Sequence, residues 1–182
     1  VERNVINIFG EINTPTAEKV IAQLQYLDDK YTREGAPFDE RTITLQINSP
    51  GGSVTDGLAI LDTMNYIDCK IRVVALGMAS SMAAVILSAG TRGLRCATEH
   101  TEIMIHQPLG GASGQASDIL IAANRIKNIR EKLNTILAEN VGQSLRQIEK
   151  DTDLDTIFTA QQALEYGIID EVIPSISKAK HM

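Results

Sequence analysis

Three times in the first 90 residues a short run of strand-forming residues gives way to a stretch whose apolar side chains recur every three or four positions. Val5-Ile6-Asn7-Ile8-Phe9 stops at Gly10 and is followed by Ala17, Val20, Ile21, Leu24 and Leu27, a helical spacing over Thr16 to Asp28. Ile43-Thr44-Leu45-Gln46-Ile47 runs into the turn cluster Asn48-Ser49-Pro50-Gly51-Gly52 and then a helix over 57–67 with Leu58, Ile60, Leu61, Met64 and Ile67 inside. Ile71 to Leu76 leads through Gly77 to a small-residue helix from about Ser80 to Ala89, which Gly90 can end. A strand period of 2 that gives way repeatedly to a helix period of 3.6 leaves few topologies open. The expected class is α/β, with right-handed crossovers between strands.

The remainder fits the same class. Asp28 to Glu40 is charged, holds Gly35 and Pro37, and reads as a solvated loop. Leu94–Ala97 and Glu102–Ile105 are short strand candidates, Ala160–Tyr166 a last helix closed by Gly167, and Ile168–Ile173 an edge strand before Pro174. Between Ser117 and Asn140, Ile119, Ala122, Ala123, Ile126, Ile129, Leu133, Ile136 and Leu137 recur in heptad fashion, which predicts a long helix reaching beyond the globule. A chain of 182 residues is expected to form one domain over 1–182 and to bury roughly 70% of its unfolded surface. Its net charge of −6 argues against nucleic-acid and anionic-lipid partners. Met78–Ala89, the most apolar stretch, is shorter than the roughly 20 residues a bilayer requires. Cys69 and Cys96 lack zinc or disulfide-scaffold spacing and read as reduced, buried thiols of a cytosol-like compartment. Val1-Glu2-Arg3 shows no signal pattern and suggests a trimmed or mature start.

Chemistry-bearing residues stand at the element boundaries. Ser80 and Ser81 lie where a strand hands over to a helix, and their spacing does not say which hydroxyl faces a cleft. His106 follows the apolar strand Ile103-Met104-Ile105 and precedes Gln107-Pro108-Leu109-Gly110-Gly111, a strand-end position suited to a general base, whereas His100 and His181 read as structural. Asp151, Asp153 and Asp155 form an acidic cluster open to three readings: a solvated helix start, calcium ligands lacking the Gly and bidentate Glu of such a loop, or a source of a His-orienting carboxylate. A hydroxyl becomes a useful nucleophile when an imidazole takes its proton and a carboxylate orients the imidazole. The order Ser, His, Asp differs from the chymotrypsin, subtilisin and α/β-hydrolase orders. The Gly51-Gly52 turn is either a tight turn alone or a source of bare amides for an oxyanion hole, with Gly52 and Met82 as the candidate pair.

The segments Ile47-Asn48-Ser49-Pro50-Gly51-Gly52-Ser53-Val54, Gly77-Met78-Ala79-Ser80-Ser81-Met82, Met104-Ile105-His106-Gln107-Pro108-Leu109-Gly110-Gly111 and Ala138-Glu139-Asn140-Val141-Gly142-Gln143 strongly resemble the proteolytic subunits of the Clp proteases, the ClpP family, and the likeness runs from Val5 to Ile173. The resemblance implies a fold of repeated ββα units, similar in core to the crotonase group, with a protruding handle helix over about 110–140. It implies Ser81 as nucleophile, His106 as base, Asp155 as orienting acid, and the Gly52 and Met82 amides as oxyanion hole. It further implies a serine endopeptidase whose subunits stack as two seven-membered rings around a chamber, fed with unfolded polypeptide by an AAA+ unfoldase. Residues 110–115 would be the strand that pairs with extended substrate. No metal or organic cofactor is implied. ATP would belong to the partner, since this chain has no Gly-x-x-x-x-Gly-Lys-Ser/Thr loop. The compartment implied is the cytoplasm or an organelle of bacterial origin.

Three departures from the family pattern bear on this. Leu154 replaces a common Arg between the Asp residues, the 28–40 loop is long, and Glu99-His100 replaces a Pro-Asn pair. The upstream residues that would form axial loops toward the unfoldase are missing from the sequence. Such departures also occur in paralogous subunits of mixed rings, so a catalytically idle scaffolding subunit is one alternative. A crotonase-like acyl-CoA hydratase or isomerase is the other, although those enzymes rely on carboxylates and not on a Ser/His/Asp set.

Overall fold

The computed structural model describes residues 4–174; Val1-Glu2-Arg3 and His181 lie outside them. Five parallel strands, β1 (Val5–Phe9), β2 (Thr42–Ser49), β3 (Lys70–Ser80), β4 (Arg95–Thr98) and β7 (Glu171–Ile173), lie in the order β1-β2-β3-β4-β7. Helices α1 (Thr14–Arg33), α2 (Val54–Tyr66) and α3 (Met82–Ser88) follow the first three strands, as the alternating periods predict. In β2, Ile43, Leu45 and Ile47 are fully buried and join the core with Val20 and Leu24 of α1 and Ile60 of α2, while Thr44 and Gln46 are only partly covered. Parallel sheets are commonly covered on both faces and then read as continuous apolar runs. The alternation in β2 marks one helix-covered face and one that is polar along this strand, while Val5, Phe9 and Val74 of its neighbours add apolar residues to the second face.

Strand β3 overshoots its predicted end at Leu76 and divides its partners along its length. Val73–Ala75 pair with β4, and beyond the left-handed Gly77 (φ +75°) Met78–Ser80 pair with β5 (Glu102–Ile105), also in parallel. Strand β5 in turn pairs antiparallel with β6 (Thr156–Thr159). Helix α3, which follows β3, has all seven residues buried, the close packing its small side chains allow.

Elsewhere the structure departs from the sequence reading. Helix α1 continues past Asp28 to Arg33, because Asp28 accepts the Cys69 amide (3.0 Å), the Tyr31 hydroxyl donates to the Thr42 carbonyl (3.1 Å), and Lys30 and Arg33 suit a helix C-terminus. A helix α5 (Leu145–Thr152), capped by Ser144, places the acidic cluster at a helix end and not at a start. Segment 110–115 is not a strand: it holds Gly110, Gly111 and Gly114, and among the described residues it has no partner to complete a ladder. Strand β7 begins only at Glu171, after the buried Ile168 and Ile169. Helix α4 (Ala116–Val141), about 39 Å long at 1.5 Å per residue, buries Leu133, Asn134, Leu137 and Val141 and leaves Ile119, Leu120 and Ile121 of its first turns exposed. It ends at the left-handed Gly142, and α6 (Ala160–Tyr166) carries a Thr159/Gln162 capping box.

Cys69 and Cys96 are buried free thiols. Burial, with Asp28 beside it, pushes the Cys69 thiol up to about 12, and burial likewise raises Cys96.

One buried cation ties the far ends together. Arg95, 5% exposed, makes a two-pronged pair with Asp170 (2.8 and 2.6 Å) and donates to the Asn140 carbonyl at the end of α4 (2.9 Å). Asp170 also accepts the Gly93 and Arg95 amides (2.8 and 3.0 Å). Burial alone would raise the Asp170 carboxyl, but the Arg95 guanidinium and these amides outweigh it and hold the carboxyl below its ordinary value. Removing one member of such a pair strands the other charge, so Arg95→Leu should cost about 3–5 kcal/mol in chemical denaturation. A carboxyl with a depressed folded pKa gives stability that is present above the ordinary Asp value, near 3.9, and lost as pH falls through the lowered one. In Asp170→Asn that acid-side loss should flatten in melts taken below about pH 4.

Candidate active site

Strand β5 lies between the two elements that carry the other candidate residues. Its antiparallel register with β6 runs Glu102↔Thr159, Ile103↔Phe158, Met104↔Ile157 and Ile105↔Thr156, so the next facing positions are His106 and Asp155. The His106 Nδ1 stands 3.6 Å from Asp155 Oδ1, an ion-pair separation longer than a hydrogen bond. The imidazole is 14% exposed and the carboxylate 67%. On its other edge β5 pairs Met104 with Ser80, and the Met104 carbonyl accepts the Ser81 amide at 2.9 Å. Ser81 and His106 line one cleft with Met82, Pro108, Leu133 and Asn134, which leaves about 20 Å³ for water, room for about one molecule.

The backbone distinguishes the two serines. Ser80 is a buried ladder residue of β3, whereas Ser81 takes φ 58° and ψ −124°, the one positive φ at a non-glycine among the described residues. A Cβ-bearing residue is held in such a region only where its surroundings over-determine it, which is typical of functional corners. Here the corner is fixed by the β5 hydrogen bond behind Ser81 and by the buried α3 ahead of it.

The Gly-Gly turn lies against this corner. A Cβ on Gly51 would come within 2.7 Å of the Ser80 carbonyl oxygen and 2.8 Å of Ser81 Cβ, so glycine permits the approach. The Ile12 amide donates to the Gly51 carbonyl and the Ser53 amide to the Ile12 carbonyl, both at 2.8 Å, which bracket Gly52 in a parallel bridge. A residue so bracketed turns its own N–H away from that partner. Met82 opens α3, where a first-turn amide has no partner inside the helix. Gly57 of α2 completes the packing, since a Cβ there would lie 2.1 Å from Met82 Cγ.

The three aspartates have separate tasks. Asp151 accepts from Gln147 (2.8 and 2.9 Å) and from the Tyr166 hydroxyl (2.7 Å), and burial, together with Asp151, pushes that phenol up. Asp153 meets Arg130 at 3.3 Å, and Asp155 faces His106. Among the described residues no cluster of three or more His, Cys, Asp or Glu could hold a metal ion. His100 is exposed in the turn between β4 and β5. Sequence reasoning missed Gln107, whose amide donates to the Thr152 carbonyl (2.8 Å) and whose side chain donates to the Asp153 carbonyl (2.9 Å). Its position beside His106 was the available signal; its partners are some 46 residues away.

Residues 1–175 match a family model described as Clp protease. The chain is 48% identical over 176 residues to a protein of Ligilactobacillus salivarius (strain UCC118) named ATP-dependent Clp protease proteolytic subunit, an alignment covering 97% of this chain and 86% of that protein.

The geometry makes the Gly-Gly turn intolerant of side chains. A Cβ at Gly52 (φ +151°) would sit 2.2 Å from the Ile12 carbonyl oxygen. Gly52→Ala should therefore cost more than the about 1–2 kcal/mol of an unfavourable φ alone, read as a lowered unfolding midpoint.

Proposed function

The chain belongs to the Clp protease family and is a serine endopeptidase, and from that premise we propose that Ser81 is its nucleophile, His106 its general base and Asp155 the carboxylate that orients the imidazole. The observation that carries this assignment is the placement of β5, which has Ser81 hydrogen-bonded to one edge and the His106–Asp155 pair at its end.

In the proposed reaction His106 takes the Ser81 hydroxyl proton as Oγ attacks the peptide carbonyl. The imidazolium then returns the proton to the leaving amine, and water hydrolyses the acyl-enzyme by the reverse sequence. The Met82 amide, unpaired at its helix start, and the Gly52 amide, turned away from Ile12, are the donors we assign to the oxyanion. One such donor contributes about 2.7–4 kcal/mol to the transition state. The 3.6 Å between Nδ1 and Oδ1 describes a resting geometry that must shorten by roughly half an ångström to become a hydrogen bond, as is common before substrate binds.

We further assign residues 1–182 to one proteolytic-subunit domain that needs no cofactor of its own and sits in two stacked heptameric rings, homomeric or mixed with a sister subunit. Unfolded polypeptide would reach it from an AAA+ unfoldase, which supplies the ATP. The relative's printed name, an ATP-dependent protease subunit, supports this reading, as does the exposed apolar start of α4, a surface suited to contact with other subunits. No described helix is long and apolar enough to cross a membrane. A cytoplasmic setting is the one we propose.

Ser81→Ala should abolish labelling by a fluorophosphonate probe and lower peptide turnover by at least about 10³-fold. Labelling that persists in that variant would refute the assignment.

A further inference from the structure

We infer that Gln107 is a positioning residue that sets the separation of His106 and Asp155, an inference that rests on the triad reading above. The β5–β6 ladder ends at Ile105↔Thr156, so His106 and Asp155 are the first facing positions beyond regular pairing. Past that point the chains are rejoined by Gln107, which donates its amide to the Thr152 carbonyl at 2.8 Å and its side-chain nitrogen to the Asp153 carbonyl at 2.9 Å. Asp155 is thereby bracketed, by Thr156 on the ladder and by Asp153 on the Gln107 side chain. Leu154 between them is 78% exposed and adds no packing. Two other ties act on this turn: the Thr156 hydroxyl donates to the Asp151 carbonyl at 2.6 Å, holding its two ends, and Arg130 meets the Asp153 carboxylate at 3.3 Å, a partly solvated ion pair of a kind that contributes little.

The base and its orienting acid therefore hang from one three-point frame, in which Ile105 and Gln107 flank the base and Gln107 supplies both ties beyond the ladder. Without the side-chain bond, Asp153 loses its direct link to the segment that carries His106, and the Asp155 carboxylate gains freedom to move from an imidazole it already meets at the long distance of 3.6 Å. A misplacement of about 1 Å costs on the order of 10²-fold in rate. The loss should fall on kcat, because the Gln107 side chain bonds a carbonyl of its own chain and leaves the cleft walls in place.

The test compares the full-length assembled protein with Gln107→Met, which keeps length and loses the donor, and Gln107→Lys, which keeps a donor of similar reach. A fluorogenic peptide gives kcat and KM, and native mass and melting temperature are read on the same samples. The expected result is a kcat lowered about 10- to 100-fold in Gln107→Met with KM within about twofold, assembly and melting unchanged, and substantial recovery in Gln107→Lys. Should the Met variant fail to assemble, Gln107→Glu, polar and isosteric but without the donor, replaces it with the same expectation. Parent-like kcat in an assembled Met or Glu variant overturns the inference, as does a joint fall of kcat and melting temperature that Lys does not relieve. Ser81→Ala measured alongside separates the two claims. If it is inactive while Gln107→Met is unimpaired, only the positioning role falls, and if it retains turnover the triad itself falls.

Discussion

The molecule turns on a corner at Ser81, where a long central strand must hand over to a buried helix without room for a loop. Strand β3 reaches Ser80 still inside a parallel ladder, and α3 begins at Met82. One residue absorbs the change of direction, and it does so at φ 58°. The surrounding constraints are all backbone: the hydrogen bond to Met104, the close approach of Gly51, and the buried helix ahead. Strain held this way also fixes where the hydroxyl stands, so the position of Ser81 derives from the backbone around the corner.

A second consequence follows from β3 serving two neighbours. Its first half builds the main sheet with β4, and its second half carries β5 and, through it, β6. The candidate site lies on the smaller branch. The main sheet is secured independently by the Arg95–Asp170 pair, which joins β4 to the residue before β7 and to the end of α4. The Arg95–Asp170 pair and the site are therefore set on different branches of the sheet, joined through β3 and the buried α3.

Much of this was legible in the chain itself. Alternation in Ile43-Thr44-Leu45-Gln46-Ile47 and helical spacing in Ala17 to Leu27 report local periodicity, and both elements formed where the pattern put them. The heptad spacing of α4 was equally clear. What escaped were elements too short for a period to show. Helix α5 spans two turns and β6 four residues, and both are stabilised by distant partners such as Asn134, Tyr166 and β5. The extension of α1 was hidden for the same reason, since the Tyr31 and Asp28 contacts lie outside any local window. At the site, residue types were legible but the choice between Ser80 and Ser81 was not, because it depends on a backbone angle. The family resemblance supplied that choice. The Gln107 ties are made across the fold, and only its place beside His106 hinted at them.

The state of the two thiols has a practical side. Cys69 and Cys96 are enclosed and disfavoured as thiolates, and the thiolate is the form that reacts with electrophiles. The native chain is thus a chemically quiet background. A single cysteine introduced on the exposed first turns of α4, for a dye or a spin label, would carry the signal alone and report when that surface becomes covered.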